Sequence, residues 1–251
     1  MVDPFTGLTP LIIFGIIFAA FATAAIHGAT GVAGGILMTA ILASVLGVKP
    51  VVPVMSVVLL ISHISRVYLN RGDFDRTVFL SIQLPAVIFT IVTASLYVRM
   101  TPTLVAITLG LVILVSVPIR HWAFTQKIAA TRKTLYGAGV VYGIFSGVSI
   151  GPGMMLTPFM LGYGLSRQGF VATLAAIALA SNVIRITVFG SADLLNGGYL
   201  MLGVILGLIS IPGNLAGRFI LRKMSNEDHS RIVDGLTIVC ALNFFWLAYR
   251  G

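Results

Sequence analysis

The chain of 251 residues alternates long apolar runs with short polar interruptions. The apolar runs approach the roughly 20 residues that a helix needs to cross a hydrocarbon core about 30 Å thick. Barrel strands alternate apolar and polar positions instead, whereas residues 77–98 are apolar almost throughout. The pattern therefore predicts an all-α polytopic membrane protein. The predicted helical elements are residues 8–27, 31–47, 51–69, 77–98, 103–119, 134–148, 153–164, 170–189, 199–218 and 231–249.

The two halves of the chain repeat one pattern. Gly35 and Gly153 stand 118 residues apart, and each is followed four positions later by a threonine. The further matching pairs are Gly47 with Gly164, segment 62–66 with segment 181–185, Asp73 with Asp193, and Gly110 with Gly235. Their separations drift slowly, as small loop insertions would cause. We interpret residues 1–120 as a first transmembrane repeat, 121–133 as a basic linker and 134–251 as a second repeat.

A short second element in each repeat changes the number of membrane crossings. In the second repeat, elements 134–148 and 153–164 together cover about 30 residues, too few for two full crossings at about 1.5 Å of helical rise per residue. They predict a Gly-rich broken or re-entrant hairpin that leaves the membrane on the side it entered. Each repeat then makes an odd net number of crossings, so the sequence predicts two inverted repeats of about five helical elements each.

The distribution of basic residues agrees with this inverted topology. Eleven fall on one predicted side of the membrane: Arg71, Arg76, Arg120, Lys127, Arg132, Lys133, Arg167, Arg218, Arg222, Lys223 and Arg231. Only Lys49, Arg99 and Arg250 fall on the other. Cytoplasmic loops carry the excess of lysine and arginine. The bias predicts a cell-membrane protein with the linker 121–133 in the cytoplasm and both termini outside.

Composition excludes several classes of function. Hydrophobic residues make up 58% of the chain and charged residues 9%, and the mean hydropathy is +1.05, which is outside the range of soluble domains. The net charge of +9 is spread thinly over loops, so it indicates membrane orientation and no nucleic-acid partner. The single cysteine, Cys240, provides neither a disulfide nor a metal cluster. We expect no metal and no cofactor.

The glycine-rich turns are candidate ligand sites. Irregular backbone at membrane depth is tolerated where it is buried in protein or lines a wet cavity, and a helix start there offers free N–H groups to an anion. Pro152, between two of the glycines, suits the first turn of a helix. The candidate glycines are Gly31, Gly34 and Gly35 in the first repeat and Gly151 and Gly153 in the second, with Ser149 beside them. The alternative is that these glycines only let helices pack closely.

Polar side chains share one helix face in each repeat. The candidate substrate-binding residues on these faces are Ser62, His63 and Arg66 in the first repeat and Ser181, Asn182 and Arg185 in the second. A guanidinium inside a span is costly and commonly functional, and its planar fork suits an oxyanion. The alternative for Arg66 is that its side chain extends to the lipid headgroups.

Two further residues carry alternative roles. His27, at the first turn, is a candidate for carrying a coupled proton, or it caps a backbone group as a neutral side chain. Ser149 lies in a G-x-S-x-G pattern, which in hydrolases marks a nucleophile. That pattern needs a preceding strand and a histidine base, and this chain predicts no strand. An intramembrane serine hydrolase is therefore the weaker alternative.

The paired turns GATGVAGGILMTA and GVSIGPGMMLTP, each followed by a span with S-[HN]-x-x-R, resemble the TauE/SafE family of sulfite exporters. The first turn differs in having Ala40 where the second has Pro158. The resemblance implies a secondary transporter that works as an exporter by alternating access, for a small sulfur-containing anion such as sulfite, thiosulfate or an organosulfonate. H⁺ or Na⁺ is the expected coupling ion. An anion channel of the same fold is the alternative.

Overall fold

The computed structural model describes residues 9–30, 33–125, 129–221 and 226–250. Within these ranges all regular structure is helical, which confirms the all-α prediction. The α-helices of the described part are α1 (Pro10–Thr30), α2 (Ala33–Leu46), α3 (Val51–Leu69), α4 (Arg76–Arg99), α5 (Pro102–Thr125), α6 (Arg132–Ser146), α7 (Thr157–Gly162), α8 (Arg167–Ser191), α9 (Gly197–Leu221) and α10 (Asn226–Arg250). A 3₁₀ turn, Pro152–Leu156, leads into α7. Each predicted element corresponds to one of these helices.

Some predicted features lie outside the described residues. They are the candidate glycine Gly31, the N-terminal residues 1–8, and the basic residues Lys127, Arg222 and Lys223. The linker is described except for residues 126–128.

Six of the described helices are long and apolar enough to cross a membrane: α1, α3, α4, α5, α8 and α9. Helix α2 is also apolar but has only 14 residues. Large hydrophobic side chains are exposed on the outer surface, as at Leu84 and Ile88 of α4 and at Val239 and Leu242 of α10. Apolar surface of this extent is stable against lipid. The protein is a multi-pass membrane protein.

Three loops meet at one end of the helices. The backbone N–H of Asp75, which precedes α4, donates to Thr173 Oγ1 of α8 at 3.0 Å. The N–H of Ala130, which precedes α6, donates to the carbonyl of Gly162, at the end of α7, at 3.2 Å. Asp75 also caps α4, because its carboxylate accepts from the N–H of Val78 at 2.9 Å. These contacts bring together the loops before α4, α6 and α8.

A lysine holds the opposite end of the helices. Lys49, in the loop between α2 and α3, donates from Nζ to the carbonyls of Tyr97 at 2.8 Å and Val98 at 3.0 Å, and also to that of Met100. These carbonyls end α4, where a cation is favourable. Burial lowers the pKa of Lys49 from its usual value of 10.5. The Tyr97 ring lies 5.2 Å from that of Phe189, near the end of α8, so α4 and α8 end at the same level.

Helices α3 and α8 pack against each other and join the two halves of the chain. Helix α9 packs against α1 and α3, and α4 packs against α6 and α8. Glycines allow close approach at these contacts: a Cβ atom added to Gly28 would overlap the backbone of Asn214 in α9, and one added to Gly147 would overlap the backbone of Ala94 in α4. The packing therefore brings the middles of α3 and α8 together in the interior.

Candidate functional site

The polar faces predicted on α3 and α8 lie in the interior of the protein. The side chains of His63 and Arg185 are 7% and 4% exposed, and Asn182 is 1% exposed. Such burial is unusual for polar groups, which normally need hydrogen-bond partners inside a protein. Because α3 and α8 pack together, their polar residues face a common space.

This space is a small cavity of about 50 Å³ between the two halves of the chain. We call it the central cavity. The first half contributes His27, Gly35, Leu59, His63 and Arg66 to its lining, and the second half contributes Tyr142, Ser146, Ile150, Gly151, Pro152, Gly153, Leu174, Ala178, Asn182 and Arg185. It therefore brings together both arginines and a glycine from each of the two turns.

The second glycine turn is irregular for a clear reason. Gly151 has φ +97°, a left-handed conformation that side chains with a Cβ rarely adopt. Pro152 then opens the 3₁₀ turn at its first position, as the sequence indicated. Gly153 leaves room at the cavity wall, since a Cβ added there would lie 3.1 Å from Leu174 Cδ1. The break in the helix thus exposes backbone to the central cavity.

The glycines of the first turn differ from one another. Gly34 is a packing glycine, because a Cβ added there would overlap the carbonyl oxygen of Thr23 in α1. At Gly35 the same atom would make ordinary contacts, 3.6 Å from His27 Nδ1 and 3.7 Å from Leu59 Cδ2. Gly35 lines the central cavity and Gly34 does not. The helix-packing alternative therefore applies to Gly34.

Arg185 holds the second turn in place. Its Nη1 atom donates to the carbonyl of Ser146 at 3.1 Å and to that of Ser149 at 2.9 Å. Its Nη2 atom donates to Asn182 Oδ1. The Ser146 carbonyl is one of the last in α6, where intrahelical donors have run out. Arg185 therefore caps α6, a structural role that the sequence pattern did not indicate.

Arg66 makes a different contact. Its Nη1 atom lies 3.2 Å from Nε2 of His27. A guanidinium can only donate, so Nε2 of His27 is the acceptor in this contact. The ring of His63 lies 6.0 Å from that of His27. Arg66 is therefore directed toward the histidines of the cavity.

The central cavity is rich in donors and contains no carboxylate among its lining residues. Within the described part of the chain, Arg185 Nε and Asn182 Nδ2 are buried without a hydrogen-bond partner. The sequence places no aspartate or glutamate between residues 76 and 192, nor between 4 and 72. Buried donors without a partner favour a ligand that accepts hydrogen bonds.

Three of the predicted substrate-binding residues do not line the central cavity. Ser62 is buried and its Oγ atom accepts from Asn214 Nδ2 at 2.8 Å. Ser149 and Ser181 are buried, and their Oγ atoms have no partner within the described residues. No imidazole is therefore in place to activate Ser149 as a nucleophile, which gives no support to the hydrolase alternative.

Sequence reasoning missed Tyr142, Ser146 and Asn214. Ser146 lies 119 residues after His27, the same separation that links Arg66 to Arg185, so the repeat itself held the signal for this residue. Asn214 is a polar residue within the span 197–217 and is 6% exposed. Placing a polar amide within a membrane span costs free energy, so such a residue is a candidate for a functional role.

The fold and the site define a polytopic membrane protein with an anion-compatible cavity between its halves. Over residues 16–244 the sequence matches the family described as Sulfite exporter TauE/SafE. The match covers most of the chain, and the protein belongs to this family. Neither the curated proteins nor the solved structures gave a match.

Proposed function

We propose that the protein is a secondary transporter that exports a small sulfur-containing anion, such as sulfite, thiosulfate or an organosulfonate. The observation that carries this proposal is the pair of arginines, Arg66 and Arg185, in a cavity whose lining has no carboxylate. Two guanidinium groups suit an oxyanion through charge and through paired N–H donors. Family membership supports a sulfite-type substrate.

The proposed mechanism is alternating access by two inverted repeats. If the repeats are equivalent, α1–α5 correspond in order to α6–α10. The contact of α1 with α9 then corresponds to that of α6 with α4, and the contact of α3 with α9 corresponds to that of α8 with α4. All four contacts are present. The contacts α3–α8 and α5–α10 map onto themselves. This arrangement supports a two-fold repeat with the substrate held at its centre, around which the halves rock.

The proposed substrate-binding set combines side chains with exposed backbone. Arg66, His63, Asn182 and Arg185 supply donors to the anion, and the turns at Gly35 and at Gly151 with Gly153 allow it to approach the chain closely. Ser62, Ser149 and Ser181 do not line the central cavity, so their proposed role is limited to supporting the residues that do. His27, in contact with Arg66, is the candidate for coupling transport to H⁺, with Na⁺ as the alternative ion.

The proposed orientation places the linker in the cytoplasm and both termini outside the cell membrane. The contacts between the loops before α4, α6 and α8 support a common side for Arg71, Arg76 and Arg132. The Lys49 contacts support a common side for the loops near Lys49 and Arg99.

Cysteine labelling tests this orientation. Lys133 and Arg99 are both exposed, and the native Cys240 is buried. In a Cys240→Ala background, we expect a membrane-impermeant maleimide to label Arg99→Cys in intact cells and Lys133→Cys only after permeabilisation. The Cys240→Ala protein is the unlabelled control. Labelling of both positions in intact cells, or the reverse order, would contradict the inverted topology.

Counterflow in proteoliposomes tests the transport mechanism. An alternating-access transporter exchanges substrate across the membrane, so unlabelled sulfite inside the vesicles should accelerate the entry of labelled sulfite, with saturation at high concentration. A channel would show neither saturation nor acceleration. Empty liposomes and liposomes containing Arg66→Gln protein are the controls. Absence of sulfite flux in the wild-type protein, with thiosulfate and organosulfonates also inactive, would refute the proposed function.

A further inference from the structure

Most of the helices that surround the central cavity fall into two packed groups. Helix α9 packs against α1 and α3, and α2 packs against α1 and α3, whereas α4 packs against both α6 and α8. We call the first set the α3 group and the second set the α8 group. Each group lines one side of the central cavity, and the two groups contact each other along α3 and α8. A movement that opens the cavity therefore has to separate these groups at one end.

Hydrogen bonds join the two groups at the end where the chain passes from α2 to α3. Lys49, which precedes α3, donates from Nζ to the carbonyls of Tyr97 at 2.8 Å and Val98 at 3.0 Å, and to that of Met100, at the end of α4. In return, the Tyr97 hydroxyl donates to the carbonyl of Lys49 at 3.0 Å. The Lys49 ammonium also lies 5.3 Å from the centre of the Tyr97 ring, within cation–π distance. Lys49 and Tyr97 thus link the α3 group to the α8 group.

Packed side chains lie between this link and the central cavity. The rings of Tyr97 and Phe189 are 5.2 Å apart, and both side chains are fully buried. Phe189 follows Arg185 by four residues, which is about one turn further along α8 toward the Lys49 end. Both rings belong to one buried cluster with Ile150, which lines the cavity. The central cavity is therefore closed on the side of Lys49.

The other end of the cavity is less closed. Arg66, which lies toward the far end of α3, is half-buried, whereas Arg185 is 4% exposed. The hydrogen bond from the Asp75 N–H to Thr173 at that end joins α4 to α8, which belong to the same group. It does not hold the two groups together. The link at Lys49 does so, and it stands on the closed side of the cavity.

We propose that Lys49 and Tyr97 form a latch between the two helix groups, and that release of this latch opens the central cavity to the side on which Lys49 lies. This inference rests on the proposed alternating access and names residues that control it. An ammonium and the carbonyls at a helix end are both well hydrated once they are exposed, so their separation leaves no buried group without a partner. The latch can therefore open and close reversibly.

Three substitutions isolate the latch from the other properties of this end. Lys49→Met keeps the length of the side chain and removes its hydrogen-bond donors. Tyr97→Phe keeps the ring against Phe189 and removes the hydroxyl that donates to the Lys49 carbonyl. Arg99→Met is the matched control, because it removes an exposed cation from the last turn of α4 and leaves the Lys49 hydrogen bonds in place. None of these three residues lines the central cavity.

The experiment measures how fast a cysteine in the central cavity reacts with a membrane-impermeant methanethiosulfonate. Ala178→Cys in the Cys240→Ala background is the reporter, since Ala178 lines the cavity and is not a proposed binding residue. The reagent is added to intact cells and, separately, to inside-out vesicles, and labelling of Arg99→Cys identifies the latch side.

Lys49→Met should raise the reaction rate of the reporter from the latch side by about tenfold or more, because hydrogen bonds to a charged group are the stronger ones. Tyr97→Phe removes one neutral hydrogen bond and should raise the rate by about threefold. Arg99→Met should leave the rate unchanged. From the opposite side, no variant should increase the rate.

The outcomes distinguish the latch from the proposed function. If Lys49→Met leaves the rate from the latch side unchanged, the latch is wrong, although anion transport stands. An equal rise from both sides also overturns the latch, since the variant then loosens the whole fold. If the wild-type protein shows no anion counterflow but Lys49→Met still raises the rate from the latch side alone, the latch stands and the proposed substrate is wrong. Should Lys49→Met not fold, the Tyr97→Phe result decides alone.

Discussion

Replacing Arg66 by glutamine should abolish most of the anion affinity while leaving the fold as stable as before, or more stable. Arg66 lines the central cavity together with the buried Arg185, and the described lining residues include no carboxylate. Removing one of the two like charges that line this cavity relieves their mutual repulsion in the empty protein. Glutamine retains an N–H group that can donate to Nε2 of His27, which now accepts from Arg66 at 3.2 Å.

The expected loss of affinity follows from the cost of removing one partner of a buried charged hydrogen bond. That cost is about 2–5 kcal/mol, which corresponds to a dissociation constant for sulfite about 30- to 5,000-fold larger. Arg66→Lys is the matched control, because it keeps the charge and loses the planar fork, and it should lose less. Calorimetric titration and the melting temperature measured without ligand check both parts. If the Arg66→Gln protein binds sulfite with wild-type affinity, Arg66 is not part of the substrate-binding site.

Arg185→Gln should behave in the opposite way and destabilise the protein strongly. Arg185 donates to the carbonyls of Ser146 and Ser149 and to Asn182 Oδ1. All four of these residues are buried. Each buried acceptor left without a donor costs about 1–3 kcal/mol, and glutamine is too short to serve all three. The expected loss of stability is several kcal/mol, which is large for any single substitution.

The test compares the two glutamine variants under identical conditions in detergent. Melting temperature and elution volume on size exclusion report the fold, and we expect Arg185→Gln to melt far below both the wild type and Arg66→Gln. Arg185→Lys should recover part of the stability, since an ammonium can still donate to one or two of the carbonyls. If the two glutamine variants have the same melting temperature, Arg185 does not stabilise the protein by capping α6.

These two predictions show where the repeated sequence misleads. Arg66 and Arg185 occupy matching positions, for which the sequence predicts one role, yet Arg66 contacts His27 and Arg185 caps a broken helix. The difference comes from the residues around them. Arg66 meets the imidazole of His27, whereas Arg185 meets the carbonyl of Ser146, at the end of α6. In the same way, Gly34 and Gly35 are adjacent in the sequence, but only at Gly34 would a Cβ atom overlap the backbone of α1.

The sequence alone determined the class of the protein and the order of its helices. A span must be apolar over its whole length and a break in it needs glycine or proline, so local composition carries this information. Polar residues in spans, such as His63 and Asn182, were found for the same reason: their burial cost makes them conspicuous. Both halves of the sequence keep the same residue types at nearly constant separation, and this is the basis of the predicted repeat.

Only the tertiary structure decided which polar groups share a cavity and which glycines are packing contacts. Those properties depend on the helices that meet in space, and α3 with α8 or α1 with α9 are far apart along the chain. The central cavity is the clearest case, because its lining combines residues from both halves of the chain. Local pattern fixes what each helix is, whereas contacts between distant segments fix where its side chains lie.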